Sequence, residues 1–68
     1  MSCKGRQSRY IVHSKTQAEL SVELPVVFAA YQNAGWKEVG CEPNDVFPTE
    51  IIFEWPYDRL PIYPLIEL

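Results

Sequence analysis

The stretch SVELPVVFAAYQNAGWKEVG, residues 21–40, decides the fold, because it passes from helical spacing to a strand through a Gly-Trp pair. Apolar residues recur in it at three- and four-residue intervals, which places them on one face of a helix. These residues are Leu24, Val27, Phe28 and Tyr31. We predict a helix over 22–33, capped by Ser21. Pro25 then falls in the first turn, where backbone N–H groups have no intrahelical partner.

Two other interpretations of the helix start stay open. Thr16 and Glu19 have the spacing of a capping box, which would begin the helix earlier. That start places Pro25 deep inside the helix, at a cost of about 3 kcal/mol. Alternatively, residues 18–24 (AELSVEL) alternate apolar and polar residues with the period of a strand.

The other end of the helix is better defined. Gly35 is expected to end it in the left-handed conformation, and Trp36 to pack back on Tyr31. Residues 36–42 (WKEVGCE) then form a strand, with Val39 and Cys41 on one face.

Two further segments are predicted strands. Residues 9–14 (RYIVHS) are β-branched and aromatic, and residues 50–55 (EIIFEW) alternate Ile51, Phe53 and Trp55 on one face. Residues 43–49, with two prolines and an Asn-Asp pair, form a loop. The order is β-α-β-β. We expect a small α+β domain with one helix on a three-stranded mixed sheet, in which the first two strands are parallel neighbours and the last two form a hairpin.

Residues 18–40 resemble the helix–Gly–Trp–strand segment of small uncharacterised bacterial β-α-β-β domains. The resemblance covers about a third of the chain. Its matching positions are Leu24, Phe28, Gly35, Trp36, Val39 and Gly40. It implies the same order of elements. It implies no function, because members of that group are mostly without an assigned activity.

Composition indicates a single folded domain. The chain has 68 residues, is 47% hydrophobic and contains three glycines, which separates it from disordered sequences. A domain of about 60 residues buries only about 60% of its unfolded surface, so its stability is marginal. We place the domain at 9–56, after a basic arm, 1–8, where order is least expected, and before a C-terminal arm, 57–68.

The charges are divided between the two ends of the chain. Residues 1–15 carry four bases and no acid, whereas residues 16–68 carry nine acids and two bases. The four bases are Lys4, Arg6, Arg9 and Lys15. They offer a weak nucleic-acid-binding alternative through phosphate contacts, although four charges without interleaved aromatic residues more often keep a terminus solvated.

The segment MSCKGRQSRY lacks the apolar core of a secretory signal, and no run of residues is long enough to cross a membrane. With two cysteines, Cys3 and Cys41, a cytoplasmic protein with reduced thiols is expected. A bridge between them is a minor alternative.

The sequence indicates no catalytic site and no metal site. His13 is the single histidine, and its spacing from Cys3 and Cys41 is unlike that of zinc ligands. Cys41 is expected in the core, and paired carboxylates would need a pocket that so small a domain rarely has. We therefore expect no enzyme activity, no metal and no cofactor.

The C-terminal sequence FEWPYDRLPIYPLIEL is apolar, aromatic and interrupted by proline. Trp, Tyr and Arg are frequent anchors of protein interfaces, and exposed apolar patches mark interaction sites. The predicted partner-binding residues are Phe47, Trp55, Tyr57, Arg59, Leu60, Ile62, Tyr63 and Leu65. The competing interpretation is that the arm covers the open face of the sheet. Covering of the sheet is slightly favoured over partner binding for Leu60 and Ile62. For residues 63–68 the two interpretations are equally supported.

The favoured function is a small cytoplasmic protein that binds another protein. Small size and an acidic body are typical of phage or mobile-element proteins that inhibit a host enzyme or a host defence complex. A homodimer with a structural or regulatory role, in which the arm or an edge strand is exchanged, is the alternative. Nucleic-acid binding through the basic arm is the second alternative.

Overall fold

A computed structural model describes residues 3–44 and 46–67. In this part of the chain, four elements follow one another in the order β-α-β-β. They are β1 (Arg6–Ile11), α1 (Gln17–Ala34), β2 (Lys37–Glu42) and β3 (Glu50–Trp55). One helix packs on a three-stranded sheet, so the prediction of a small α+β domain is confirmed.

The sheet is antiparallel throughout, with β3 between β1 and β2. The predicted hairpin of β2 and β3 is confirmed, but the predicted mixed sheet with β1 beside β2 is wrong. β3 is the most deeply buried of the three strands. Ile51, Phe53 and Trp55 are all 0% exposed, and a central strand is covered by neighbours on both edges. β1 and β2 do run in the same direction, but with β3 between them.

The helix begins at Gln17, five residues before the predicted start. Its N-cap is Thr16, whose hydroxyl accepts from the backbone N–H of Glu19 at 3.2 Å, while the Glu19 carboxylate accepts from the N–H of Thr16 at 3.1 Å. This capping box stabilises the first turn by satisfying donors on both residues. The longer helix also buries Leu20. Pro25 therefore lies inside the helix, on its exposed side, where the missing N–H removes only one backbone bond.

The predicted end of the helix is confirmed. Gly35 has φ 112°, in the left-handed region that glycine tolerates. Its N–H donates to the carbonyl of Gln32, and the N–H of Trp36 donates to the carbonyl of Tyr31 at 2.9 Å. The Trp36 and Tyr31 rings also meet edge-on at 5.8 Å. These are the two bonds and the apolar contact of a Schellman motif.

The first two strands differ from prediction in detail. β1 lies three residues before the predicted 9–14, so part of the expected arm, 1–8, belongs to the sheet, and residues 1 and 2 lie outside the described residues. In β2 the register shifts between Glu38 and Gly40. Val39 bulges out and is 42% exposed, whereas Cys41 packs against the core. The expectation that both share one face is therefore wrong, because a bulge interrupts the alternation.

The core lies between the helix and the sheet. It is largely aromatic, and the rings of Tyr31 and Phe53 stack with centroids 4.0 Å apart. Its buried members are Val27, Tyr31, Trp36, Ile51, Phe53 and Trp55.

Candidate protein-binding site

Two buried tryptophans fix the backbone of the C-terminal arm. The indole N–H of Trp55 donates to the carbonyl of Arg59 at 2.8 Å, and that of Trp36 donates to the carbonyl of Ile62 at 2.6 Å. Both indole rings belong to the core. The arm is thus held at two points by side chains that the fold itself places, although residues 56–67 form neither helix nor strand.

Between and beyond these points, four large apolar side chains face solvent. Their exposed fractions are 80% for Leu60, 54% for Ile62, 58% for Tyr63 and 84% for Leu65. We call these four residues the apolar ridge. A folded chain of this size gains stability by burying such side chains, so four of them left exposed on one short segment are a candidate interaction surface.

The path of the arm corrects one expectation. Leu60 and Ile62 do not complete the core, and the arm packs against Trp36 and Trp55 rather than crossing the open face of the sheet. The inward positions are taken by Pro61 and Pro64, which are half-buried, and by Ile66, which contacts the core, while Leu68 lies outside the described residues.

At the start of the arm, the Arg59 side chain lies over two aromatic rings. Its guanidinium lies 4.1 Å from the ring centroid of Tyr57 and 5.6 Å from that of Trp55. Tyr57 is 40% exposed, but Trp55 is fully buried. Among the predicted partner-binding residues, Trp55 therefore supports the site from inside, while Tyr57 and Arg59 border it.

Phe47 lies apart from the ridge. It is half-buried in the 43–49 loop, where its N–H and that of Val46 donate to the side-chain oxygen of Asn44. Within the described residues, no hydrogen bond or ring contact joins this loop to the arm. The structure thus brings the arm residues together and leaves Phe47 on a separate surface.

The two prolines of the arm limit its ability to pair as a strand. In an extended chain, the backbone N–H groups of successive residues point alternately to one edge and to the other. Two residues that are an odd number of positions apart therefore have their N–H groups on opposite edges. Pro61 and Pro64 are three positions apart, so each edge lacks one donor. Proline is not tolerated within a sheet ladder. The ridge therefore offers side chains and not a continuous strand edge.

The basic residues do not form one patch. The Arg9 guanidinium lies on the open face of the sheet, 2.9 Å from the Glu50 carboxylate and 3.6 Å from that of Glu42. Arg6 lies at the start of β1, Lys15 is exposed before the helix, and Lys4 has a contact of its own. Two carboxylates compensate the charge of Arg9, which weakens its attraction for phosphate.

An open depression of about 470 Å³ lies where the chain passes from β1 to the helix. It is lined in part by His13, Ser14 and Glu23. The Ser14 hydroxyl donates to the Glu23 carboxylate at 2.5 Å, and the His13 ring packs edge-on against Tyr10 at 5.8 Å.

Glu23 is an internal anchor that the sequence did not reveal. It is 3% exposed and accepts from the Tyr10 hydroxyl at 2.6 Å and from the backbone N–H groups of His13 and Ser14. Burial alone would raise the pKa of Glu23, but the bonds from Ser14, Tyr10 and the two backbone groups outweigh it and lower the pKa to about 2. The pKa of Tyr10 is raised, first by burial and then by its bond to Glu23. The spacing of Glu23 from Leu20 and Val27, three and four residues away, could have indicated that it lies on the buried side of the helix.

The described residues hold no group of three His, Cys, Asp or Glu side chains arranged for a metal ion. Cys3 and Cys41 are half-buried free thiols. Across 3–44 and 46–67, no helix combines the length and the apolar character that a bilayer crossing requires. No family model, curated protein or solved structure matches the chain.

Proposed function

We propose that this protein binds another protein through the apolar ridge. The observation that carries the proposal is that Leu60, Ile62, Tyr63 and Leu65 are 54–84% exposed on a segment whose backbone is fixed by two buried indoles. Large apolar side chains on a surface mark interaction sites when they are contiguous, and these four lie within six residues.

Preorganisation supports the proposal. A flexible tail would lose backbone conformational entropy on binding, at about 1–2 kcal/mol for each residue that becomes fixed. Here the bonds to the carbonyls of Arg59 and Ile62 fix the arm before any partner arrives. Less of the binding free energy is then spent on ordering the ridge.

The role that best fits such a small binding protein is inhibition or regulation of its partner. Specifically, we propose a small cytoplasmic protein of phage or mobile-element type. It would inhibit a host enzyme or a host defence complex. The nucleic-acid alternative has less support, because Arg9 already pairs with Glu42 and Glu50.

Site-specific photo-cross-linking tests the proposal. Tyr63 is replaced by benzoylphenylalanine, and the variant is irradiated in the cells that naturally produce the protein. We expect one predominant protein adduct. The same substitution at Val46, which is 75% exposed in the separate loop, is the matched control and should give none.

The double variant Leu60→Ser and Leu65→Ser, carrying the same probe at Tyr63, should lose the adduct while its circular dichroism stays unchanged. Equal adducts from positions 63 and 46, or an adduct that survives both ridge substitutions, would contradict the proposal.

A further inference from the structure

We propose that the outer edge of β1 pairs with the same edge of a second copy of this chain, joining two sheets into one. The outer edge of β1 means the backbone groups of Gln7, Arg9 and Ile11. This interaction surface is distinct from the apolar ridge, and it follows from the hydrogen-bond pattern of the sheet.

The pattern identifies which backbone groups face outward. The N–H of Val12 donates to the carbonyl of Thr49 at 2.8 Å, in the same register that pairs Tyr10 with Ile51 and Ser8 with Phe53. Even-numbered residues of β1 therefore bond to β3, because bonded and non-bonded positions alternate along an antiparallel pair. Gln7, Arg9 and Ile11 therefore point away from β3, and across 3–44 and 46–67 their N–H groups donate to no turn or loop carbonyl.

This edge lacks the usual protection against strand pairing. Natural edge strands are guarded by prolines, bulges or charged side chains. Arg6–Ile11 contains no proline, and its pairing with β3 has no register shift. Its two charged side chains are Arg6, at the start of the strand, and Arg9, whose guanidinium pairs with Glu50 and Glu42 across the open face of the sheet.

Other extended segments of the described chain are guarded. The opposite edge, β2, carries a register shift between Glu38 and Gly40. The arm has prolines that interrupt both of its edges. The outer edge of β1 is thus the place where the described fold accepts another strand.

The sequence of β1 matches itself in one antiparallel register. With Ser8 opposite Ser8 of the second copy, Gln7 lies opposite Arg9, and Arg6 opposite Tyr10. No like charges then face each other, and an arginine beside an aromatic ring is a favourable cross-strand pair. Outward-pointing Gln7 and Arg9 exchange their N–H and carbonyl bonds with the second copy, as an isologous two-fold contact requires.

The expected dimer is reversible. An edge of six residues is about 20 Å long, and pairing along it alone buries less surface than a standard protein interface. Sedimentation should therefore show a dimer that dissociates on dilution.

Gln7→Pro is the selective perturbation. The Gln7 N–H points outward, so proline removes no bond inside the fold but removes one bond from each side of the dimer. The dimer dissociation constant should rise at least about tenfold. The double variant Leu60→Ser and Leu65→Ser is the control and should dimerise like the wild type.

A cross-link checks the register independently. In a background with Cys3→Ala and Cys41→Ala, Ser8→Cys places two thiols opposite each other at a non-hydrogen-bonded position. The Cα atoms are about 4.5 Å apart there, within disulfide range. Oxidation should give a covalent dimer, whereas Gln7→Cys in the same background should not.

A wild-type chain that sediments as a monomer at millimolar concentration would overturn the inference. So would a dimer that is unaffected by Gln7→Pro. A dimer lost with the ridge variant but kept with Gln7→Pro would assign the contact to the ridge and would likewise refute pairing through β1.

Discussion

Glu23→Gln should destabilise this fold more than a helix substitution normally does. Glu23 is 3% exposed, and its carboxylate joins the helix to the segment that follows β1 through bonds from Tyr10, His13 and Ser14. Its pKa falls from an ordinary 4.5 to about 2. At about 1.4 kcal/mol per pKa unit, this shift corresponds to about 3 kcal/mol of stability at neutral pH. A core of this size supplies only about 3–5 kcal/mol unaided, so the loss would unfold a large fraction of the molecules.

The sign of the pH dependence follows from the lowered pKa. The folded state holds Glu23 ionised down to about pH 2, whereas the unfolded chain protonates near 4.5. The stabilisation is therefore complete above about pH 4.5 and is lost as the pH falls toward 2. About 2 of the 3 kcal/mol should be gone at pH 3.

Urea unfolding followed by tryptophan fluorescence, at neutral pH and at about pH 3, measures both effects. The difference in stability between wild type and Glu23→Gln should shrink from about 3 to about 1 kcal/mol. Glu67→Gln, at an exposed position, is the control. Tyr10→Phe removes one bond to the carboxylate and should cost about 1–3 kcal/mol. A Glu23→Gln effect below about 0.5 kcal/mol, or one independent of pH, would refute the reasoning.

Three further substitutions test the local structure. Gly35→Ala should destabilise by more than about 1 kcal/mol in thermal unfolding, because Gly35 has φ 112° and a Cβ there would lie 3.2 Å from the Trp55 ring. Thr16→Ala removes half of the capping box and should cost about 1 kcal/mol by the same assay. Trp36→Phe removes the donor to the Ile62 carbonyl, so the ¹⁵N order parameters of Ile62 and Tyr63 should fall while those of the helix stay unchanged, and equal values in both proteins would contradict that anchor.

Local patterns in the sequence predicted much of the fold. β3 has the predicted bounds and the predicted buried face, because Ile51, Phe53 and Trp55 occupy alternate positions between Glu50 and Pro56. Gly35 ends the helix as expected, because few residues adopt a left-handed backbone. The helix start was mispredicted because the proline penalty at Pro25 was given more weight than the capping box of Thr16 and Glu19, which the structure uses.

Long-range features could not be read from the sequence. The order of strands depends on which partner β3 meets, and no local pattern specifies that. Likewise, the arm is placed by the Trp36 indole, 26 residues away from Ile62. Glu23 lies one residue after the predicted helix start, and its donors come from a connecting segment whose path the sequence does not specify.

Order in the apolar ridge is the most direct test of the account. Backbone ¹⁵N relaxation gives an order parameter for the amides of Leu60, Ile62, Tyr63 and Leu65. We predict values near 0.85, as in rigid backbone, because two indole bonds and the contact of Ile66 hold the arm. Values below about 0.6 would show a flexible tail and would contradict a preformed binding surface.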